Sequence, residues 1–244
     1  MHIEIIGSTS AGKTTLANKM VSAGNNNGEV VVLSDDFILE QLHINWIESG
    51  FLRRRSVELV AFATCLKRMT EYKEFIGFVL GEGKSAPGSW FYKINRMRNV
   101  IRKIGIFEFI SQRAAGEHVV LADNEGLLQG VHNLFVHQNC ESDMTKISRY
   151  VDLVPLPDVV LYIQQDEDVL VSRTLKRGHA RITKKSPENV VHFVNQAVTV
   201  FNELVSIPQI KERLLIVDSG MNLSNGDDEF SSIDFNRVAN LIHS

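Results

Sequence analysis

Five short stretches of this chain are apolar almost without interruption. They are His2-Ile-Glu-Ile-Ile6, Val30-Val-Val-Leu33, Val119-Val-Leu-Ala122, Val159-Val-Leu-Tyr-Ile163 and Leu214-Leu-Ile-Val217. A strand with one wet face alternates apolar and polar residues. An unbroken apolar run suits a strand covered on both faces, as in a parallel sheet. Between the runs, apolar residues recur at helical spacing. Lys13–Ala23 places Leu16, Ala17, Met20 and Val21 on one face, with Gly24 as its stop. Trp90, Ile94, Met97, Ile101 and Ile104 predict a long amphipathic helix anchored in the core by Trp90. Its other faces carry Lys93, Arg96, Arg98, Arg102 and Lys103. Val169–Lys176 reads as a helix ended by Gly178. Ser186-Pro187 opens another with N-cap and first-turn proline chemistry, and Asp234 to His243 reads as a closing helix. Strands alternating with helices predict an α/β fold of three layers, with five parallel strands and right-handed crossovers.

The long interval between the second and third runs, roughly 37–115, predicts a helical insertion. A helix is expected from Ser56 as N-cap, and a loop over the Gly-, Ser- and Pro-rich Gly77–Ser89. The 244 residues are 44% hydrophobic and 23% charged, enough to bury the core of a single domain spanning 1–244. A net charge of −3 gives no global pull toward nucleic acid or anionic membrane. The two cysteines, Cys65 and Cys140, lie far apart and read as idle thiols in a reducing compartment. The apolar run at Ile3–Ile6 is too short for a signal peptide. No apolar run reaches the ~18 residues a membrane span needs. A cytoplasmic protein without a membrane partner is expected, and a homodimer is compatible with all of this.

Chemistry enters at the end of the first strand. Gly7-Ser-Thr-Ser-Ala-Gly-Lys-Thr14 matches G-x-x-x-x-G-K-[ST]. The glycines let the backbone curl so that several N–H groups converge on one phosphate, and the following helix adds its positive end. Such a pattern arises by chance in roughly one chain in a hundred of this length, but here it also stands between an apolar strand and an amphipathic helix. Gly7, Ser8, Thr9, Ser10, Ala11, Gly12, Lys13, Thr14 and Thr15 are therefore the expected nucleotide-binding residues. ATP with Mg2+ is the expected ligand: Lys13 would reach the β- and γ-phosphates and Thr14 would bind the metal.

In open parallel sheets, ligands bind beyond the carboxyl ends of the strands. Asp123 follows the third strand and is the first candidate for the metal, with Glu125 as the alternative. Asp35 and Asp36 follow the second strand. Either could accept a proton from an attacking hydroxyl, or bind metal. An Asx-type turn is the other account of that pair. If both lie on a strand, they point to opposite faces. After the fourth strand, Arg173 and Arg177 share one helix face, and Arg181 lies beyond Gly178. Arginines on a lid over 173–186 would stabilise charge on a transferring phosphoryl group and exclude water. Arg53-Arg54-Arg55 and the basic faces after Trp90 fall in the insertion. They would suit a phosphorylated or nucleic-acid acceptor, or simply a solvated face.

These residues resemble P-loop kinases of the thymidylate-kinase-like and deoxynucleoside-kinase-like group. The likeness rests on Gly7–Thr15, on Leu121-Ala-Asp-Asn-Glu-Gly126, and on Pro157–Ile163 followed by Arg173-Thr-Leu-Lys-Arg-Gly178. The phosphate loop followed by Ser34-Asp-Asp-Phe37 also looks like chloramphenicol phosphotransferase and uridine kinase. In that group an aspartate ending the second strand acts on the acceptor hydroxyl, which carries the role onto Asp35. The chain departs from thymidylate kinases in having Asp123-Asn124-Glu125 where they usually show Asp-Arg, and no acceptor-side motif is recognisable. The resemblance implies transfer of the ATP γ-phosphoryl group to a hydroxyl or phosphate of a small molecule, a nucleoside, nucleotide or antibiotic-like alcohol. Lys13, Asp35, Arg173 and Arg177 would act in the transfer, Thr14 and Asp123 on the metal. Asp36, Arg53, Arg54, Glu125 and Arg181 would face the acceptor. Two alternatives stay open: a polynucleotide or modified-DNA kinase, and a nucleotide-controlled NTPase or binding protein.

Overall fold

The computed structural model describes residues 1–27, 30–86, 88–114, 118–122, 126–137, 143–178, 182 and 186–218, with only the backbone path at 25–27 and 118. The five apolar runs form one parallel sheet. Its strands are β1 (His2–Ile6), β2 (Val30–Leu33), β3 (His118–Ala122), β4 (Val159–Gln164) and β5 (Leu214–Asp218), in spatial order β2-β3-β1-β4-β5. Ile3 pairs with Leu121 on one side and Val159 on the other. Central β1 is buried at every position, whereas edge strand β5 is only partly covered.

Ten helices are described around the sheet: α1 (Lys13–Asn27), α2 (Ser34–Gln41), α3 (Gly50–Lys67), α4 (Lys73–Ser85), α5 (Trp90–Arg113), α6 (Gly130–Phe135), α7 (Met144–Leu153), α8 (Glu167–Arg177), α9 (Pro187–Ser206) and α10 (Pro208–Lys211). Both faces of the sheet are covered. Val119 and Leu121 join the main core, while Val120 between them joins a second cluster of Phe37, Ile38, Val57, Ala61, Ile106 and Phe109. That two-sided burial is why the strands are apolar without alternation.

Helices α2 to α5 lie between β2 and β3, and here local expectations fail in instructive ways. Gly24 does not stop α1, which continues to Asn27. Ser34 begins a helix at once, so Asp35 and Asp36 stand in the first turn of α2, about 100° apart rather than on opposite faces. Ser56 lies inside α3, which starts six residues earlier after Ser49. The expected loop over Gly77–Ser89 is mostly helix α4. Its glycines are read locally as breakers, yet a methyl at Gly83 would lie 2.2 Å from Met97 Cγ. The bare backbone at Gly83 lets α4 lie against α5, and that packing offsets its helix-propensity cost of about 1 kcal/mol.

Helix α5 begins as expected, with the Ser89 hydroxyl accepting from the Tyr92 N–H. Its stripe is rotated, however. Trp90 is 65% exposed and anchors no core, and Ile94 is exposed as well. Arg96 and Lys103, expected outside, are buried. Arg96 donates to the carbonyls of Asn133 and Leu134 and so satisfies the end of α6. The closing helix over 234–243 falls outside the described residues.

Candidate phosphate-binding site

The loop between β1 and α1 is built on unusual backbone angles. Gly12 has φ 96° and Ser10 φ 66°. Gly7, at φ 151°, passes so close to β4 that a Cβ would lie 3.1 Å from the Ile163 carbonyl. The curl returns Lys13 over the loop: its Nζ donates to the carbonyls of Gly7 and Ser8, both at 2.9 Å. Lys13 is buried there, at the start of a helix whose first turn carries no acid. A helix N-terminus, with its amides directed along the axis, and a cation at one point make an anion site. Thr14 and Thr15 are exposed in the same turn.

Three residues that sequence patterns did not single out hold this loop. Gln129, buried just before α6, brackets Gly7: its Oε1 accepts from the Gly7 N–H at 3.2 Å and its Nε2 donates to the Gly7 carbonyl at 3.3 Å. The Gln129 N–H in turn donates to Glu4 Oε1 at 2.7 Å. His132, buried in α6, places Nε2 3.2 Å from the Thr9 hydroxyl, with its ring stacked on Phe201 and edge-on to Phe193. Thr174 in α8 donates from its hydroxyl to Ser10 Oγ at 3.1 Å. Only Glu4 carried a signal in the sequence, as a charge inside an otherwise apolar strand. Nothing local marks Gln129, His132 or Thr174.

Glu4 is fully buried. Burial pushes its carboxyl up to about 7, against the opposing pull of the Gln129, Leu128 and Leu127 N–H groups and of Lys103. Gly126 is required beside it, since a methyl there would lie 2.1 Å from the Glu4 carboxyl carbon.

The remaining expected residues divide by place. Asp36 is exposed at the start of α2 and pairs with Arg53 Nη2 at 2.5 Å. Arg53 also donates to the carbonyls of Asn45 and Ile47, both at 3.3 Å. Asp35 is half-buried beside it, with one carboxylate oxygen enclosed. Arg54 is exposed on α3. Arg173 is partly buried in α8, and burial holds its guanidinium below the usual value. Arg177 is exposed in the last turn of α8 before Gly178. The structure thus brings Lys13, Thr14 and the neighbour of Arg173 to one loop, and Asp36 to Arg53. Asp123, Glu125 and Arg181 lie outside the described residues.

No described helix is long and apolar enough to cross a membrane. Among the described residues no group of three or more His, Cys, Asp or Glu side chains converges as a metal cage. An exposed threonine hydroxyl at the mouth of an anion site instead fits magnesium, which keeps waters and shares phosphate oxygens.

No known family profile matches the chain, and no curated protein sequence does. Solved structures do. A deoxyadenosine kinase from M. mycoides, with dCMP as product and a flexible dCDP bound, is 16% identical, with 98% of this chain and 100% of that one aligned at a TM-score of 0.50. The same enzyme with bound dATP aligns over all of both chains at 15% identity and 0.46. A thymidylate kinase from Ehrlichia chaffeensis aligns over 99% of this chain and 98% of its own, at 14% and 0.44. At such identity the likeness is one of fold. The architecture is that of the P-loop nucleoside kinases.

Proposed function

We propose that this chain is an ATP-dependent phosphotransferase whose acceptor is a hydroxyl or phosphate of a nucleoside or nucleotide. The observation that carries it is the loop geometry: a buried Lys13 folded onto the Gly7 and Ser8 carbonyls at the mouth of α1, braced by Gln129, His132 and Thr174. Preorganised donors of this kind bind a triphosphate without reorganisation. The nucleoside class draws support from the M. mycoides kinase and its bound dCMP and dCDP.

In the proposed reaction the acceptor oxygen attacks the γ-phosphorus, the bond to the β-bridging oxygen breaks, and ADP leaves. Where the acceptor is a hydroxyl, its proton passes to Asp35. Lys13, Arg173 and Arg177 hold the charge on the phosphoryl oxygens. Thr14 would hold magnesium with Asp123, or with Glu125 in its place, and the ion would neutralise the β- and γ-oxygens. Asp36, Arg53, Arg54 and Arg181 belong to the acceptor side, within the helical part 37–115 and the lid 173–186. A cytoplasmic setting would supply the ATP the proposed reaction needs.

The polynucleotide reading draws less support from the charges of this region. Arg53 is engaged by Asp36, and Arg55 by Glu58 at 2.7 Å. Arg102 also reaches Glu58, and Arg96 and Lys103 are buried. Of the run 53–55, Arg54 is exposed while Arg53 and Arg55 are held in ion pairs. An antibiotic-like alcohol remains the second acceptor class, because Asp35 would serve any hydroxyl.

A screen with γ-labelled ATP over nucleosides, nucleotides, aminoglycoside-like alcohols and oligonucleotides tests the proposal. Label should appear on a nucleoside or nucleotide, and Asp35→Asn should keep ATP binding while losing transfer to a hydroxyl at least ~100-fold. ATP hydrolysis that no acceptor stimulates would overturn it in favour of a nucleotide-controlled switch.

A further inference from the structure

Gly7 is the joint between β1 and the phosphate loop, and one side chain grips it on both sides. The Gly7 N–H donates to Gln129 Oε1 at 3.2 Å, and the Gly7 carbonyl accepts from Gln129 Nε2 at 3.3 Å. The N–H belongs to the peptide before the Gly7 Cα and the carbonyl to the peptide after it. Holding both fixes the two torsions that a glycine would otherwise turn with little hindrance. The same carbonyl accepts from Lys13 Nζ at 2.9 Å, so the direction that Gln129 imposes on it is passed to the ammonium. A side-chain amide suits this place because it presents an acceptor and a donor from one planar group. The Gly7 N–H can only donate and its carbonyl only accept, which settles which end of the amide faces which.

Gln129 is itself held from outside the loop. Its own N–H donates to Glu4 Oε1 at 2.7 Å. The turn leading into α6 is closed by the Gly130 N–H on the Leu127 carbonyl at 2.8 Å, and the Tyr150 hydroxyl of α7 donates to that carbonyl at 2.6 Å. A methyl at Gly130 would lie 2.3 Å from the Tyr150 oxygen, so the turn is packed tightly against α7. Glu4, Gln129 and Tyr150 are all buried. A carboxyl inside the central apolar strand is costly, and here it bonds the residue that grips the loop.

We infer that Gln129 is a positioning residue of the transfer reaction: it sets the two peptides of Gly7 so that Lys13 holds its ammonium where the donor phosphates bind. It acts through Gly7 and Lys13 rather than on the nucleotide. The inference rests on the proposed nucleotide binding for its effect on affinity, and on the contacts of Gly7 for its effect on Lys13.

Two measurements on the full chain test it. The first needs no nucleotide. Exchange of the Lys13 Nζ protons with water is followed by NMR on protein with isotope-labelled lysine, the signal being assigned by its absence in Lys13→Arg. Gln129→Met removes both bonds to Gly7 while filling similar space, and should speed that exchange at least ~10-fold. The second is affinity for a fluorescent ATP analogue with Mg2+, which should fall at least ~10-fold in the same variant, well below its unfolding temperature. Gln129→Asn keeps the amide but withdraws it by one methylene. It should show the same two losses, and serves where the methionine variant does not fold. Unchanged Lys13 exchange would overturn the inference, since Gly7 would then keep its direction without Gln129. Faster exchange with unchanged affinity would overturn it as well, since the place of the lysine would not matter to the nucleotide. A wild type that binds no ATP analogue removes the nucleotide reading and this inference together, a failure that the wild type alone distinguishes from the other two.

Discussion

The phosphate loop and the helical region between β2 and β3 solve opposite problems. The loop is closed on itself. Lys13, Gln129 and Thr174 are buried, and each bonds back to the loop. The helical region leaves several charged groups in the open: Asp36 and Arg53 are half in solvent, Arg54 is outside, and α3 turns an apolar face to solvent. In the proposed reaction the triphosphate is the same at every turnover, so its site would gain from being rigid before the ligand arrives. An acceptor must enter, be recognised and leave. A region built from several helices on exposed ion pairs can shift at small cost.

The largest expected effect strikes the closed region. Lys13→Ala removes the cation aimed at the phosphates and should lower ATP-dependent transfer at least ~100-fold, with binding followed by a fluorescent nucleotide. A loss below tenfold would mean that the loop is not the donor site. Next comes a packing test of the open region. A methyl at Gly105 in α5 would lie 1.7 Å from the Ala61 carbonyl of α3, backbone against side chain with no room to give. Gly105→Ala should cost about 2 kcal/mol or more in denaturant unfolding. A neutral result would show that α3 and α5 part easily.

A pH experiment sharpens the difference further. The Glu4 carboxyl has its folded value raised from 4.5 to about 7, so the folded state holds a proton that the unfolded state releases in that window. Stability from Glu4 is therefore full below about 4.5 and is lost as pH rises through about 7, by about 3 kcal/mol at most. Buried His2 works the other way. Its value falls from 6.5 to about 4, so its contribution is present above 6.5 and lost as pH falls toward 4. The two slopes oppose each other, and only a difference between proteins isolates one. Glu4→Gln keeps an acceptor for the Gln129 N–H. Its stability relative to wild type should rise between pH 5 and 8, by thermal melts at each pH. A gap that stays flat would mean Glu4 ionises in the fold at no cost. The smallest effect belongs to the exposed pair. Arg53→Ala should change unfolding free energy by less than ~1 kcal/mol while raising the KM for acceptor and leaving that for ATP unchanged.

What could be read without a structure depended on how local its cause was. The strands were legible because two-sided burial writes itself into consecutive residues. The curl of the loop was legible because the glycines and lysine that shape it are contiguous in the chain. Helix α5 began where Ser89 caps it, and α9 where Ser186 and Pro187 predict. Helix α4 was misread because glycines are punctuation locally, whereas Gly83 is contact surface against α5. Trp90 was misplaced because a helical stripe shows that one face is apolar, not which neighbour covers it.

The chain's sequence by itself determined the sheet, the curled loop between β1 and α1 and the presence of charged groups around it, since each is set by residues adjacent in the chain. Only tertiary structure decided which of those groups act together. Gln129 and His132 reach a loop more than a hundred positions earlier, and Thr174 reaches Ser10 from α8. Packing turned Arg96 and Lys103 inward, bound Arg53 to Asp36, and left the outer stripe of α3 bare. Distance along the chain sets local conformation, but the energies of burial and charge pairing depend on distance in space.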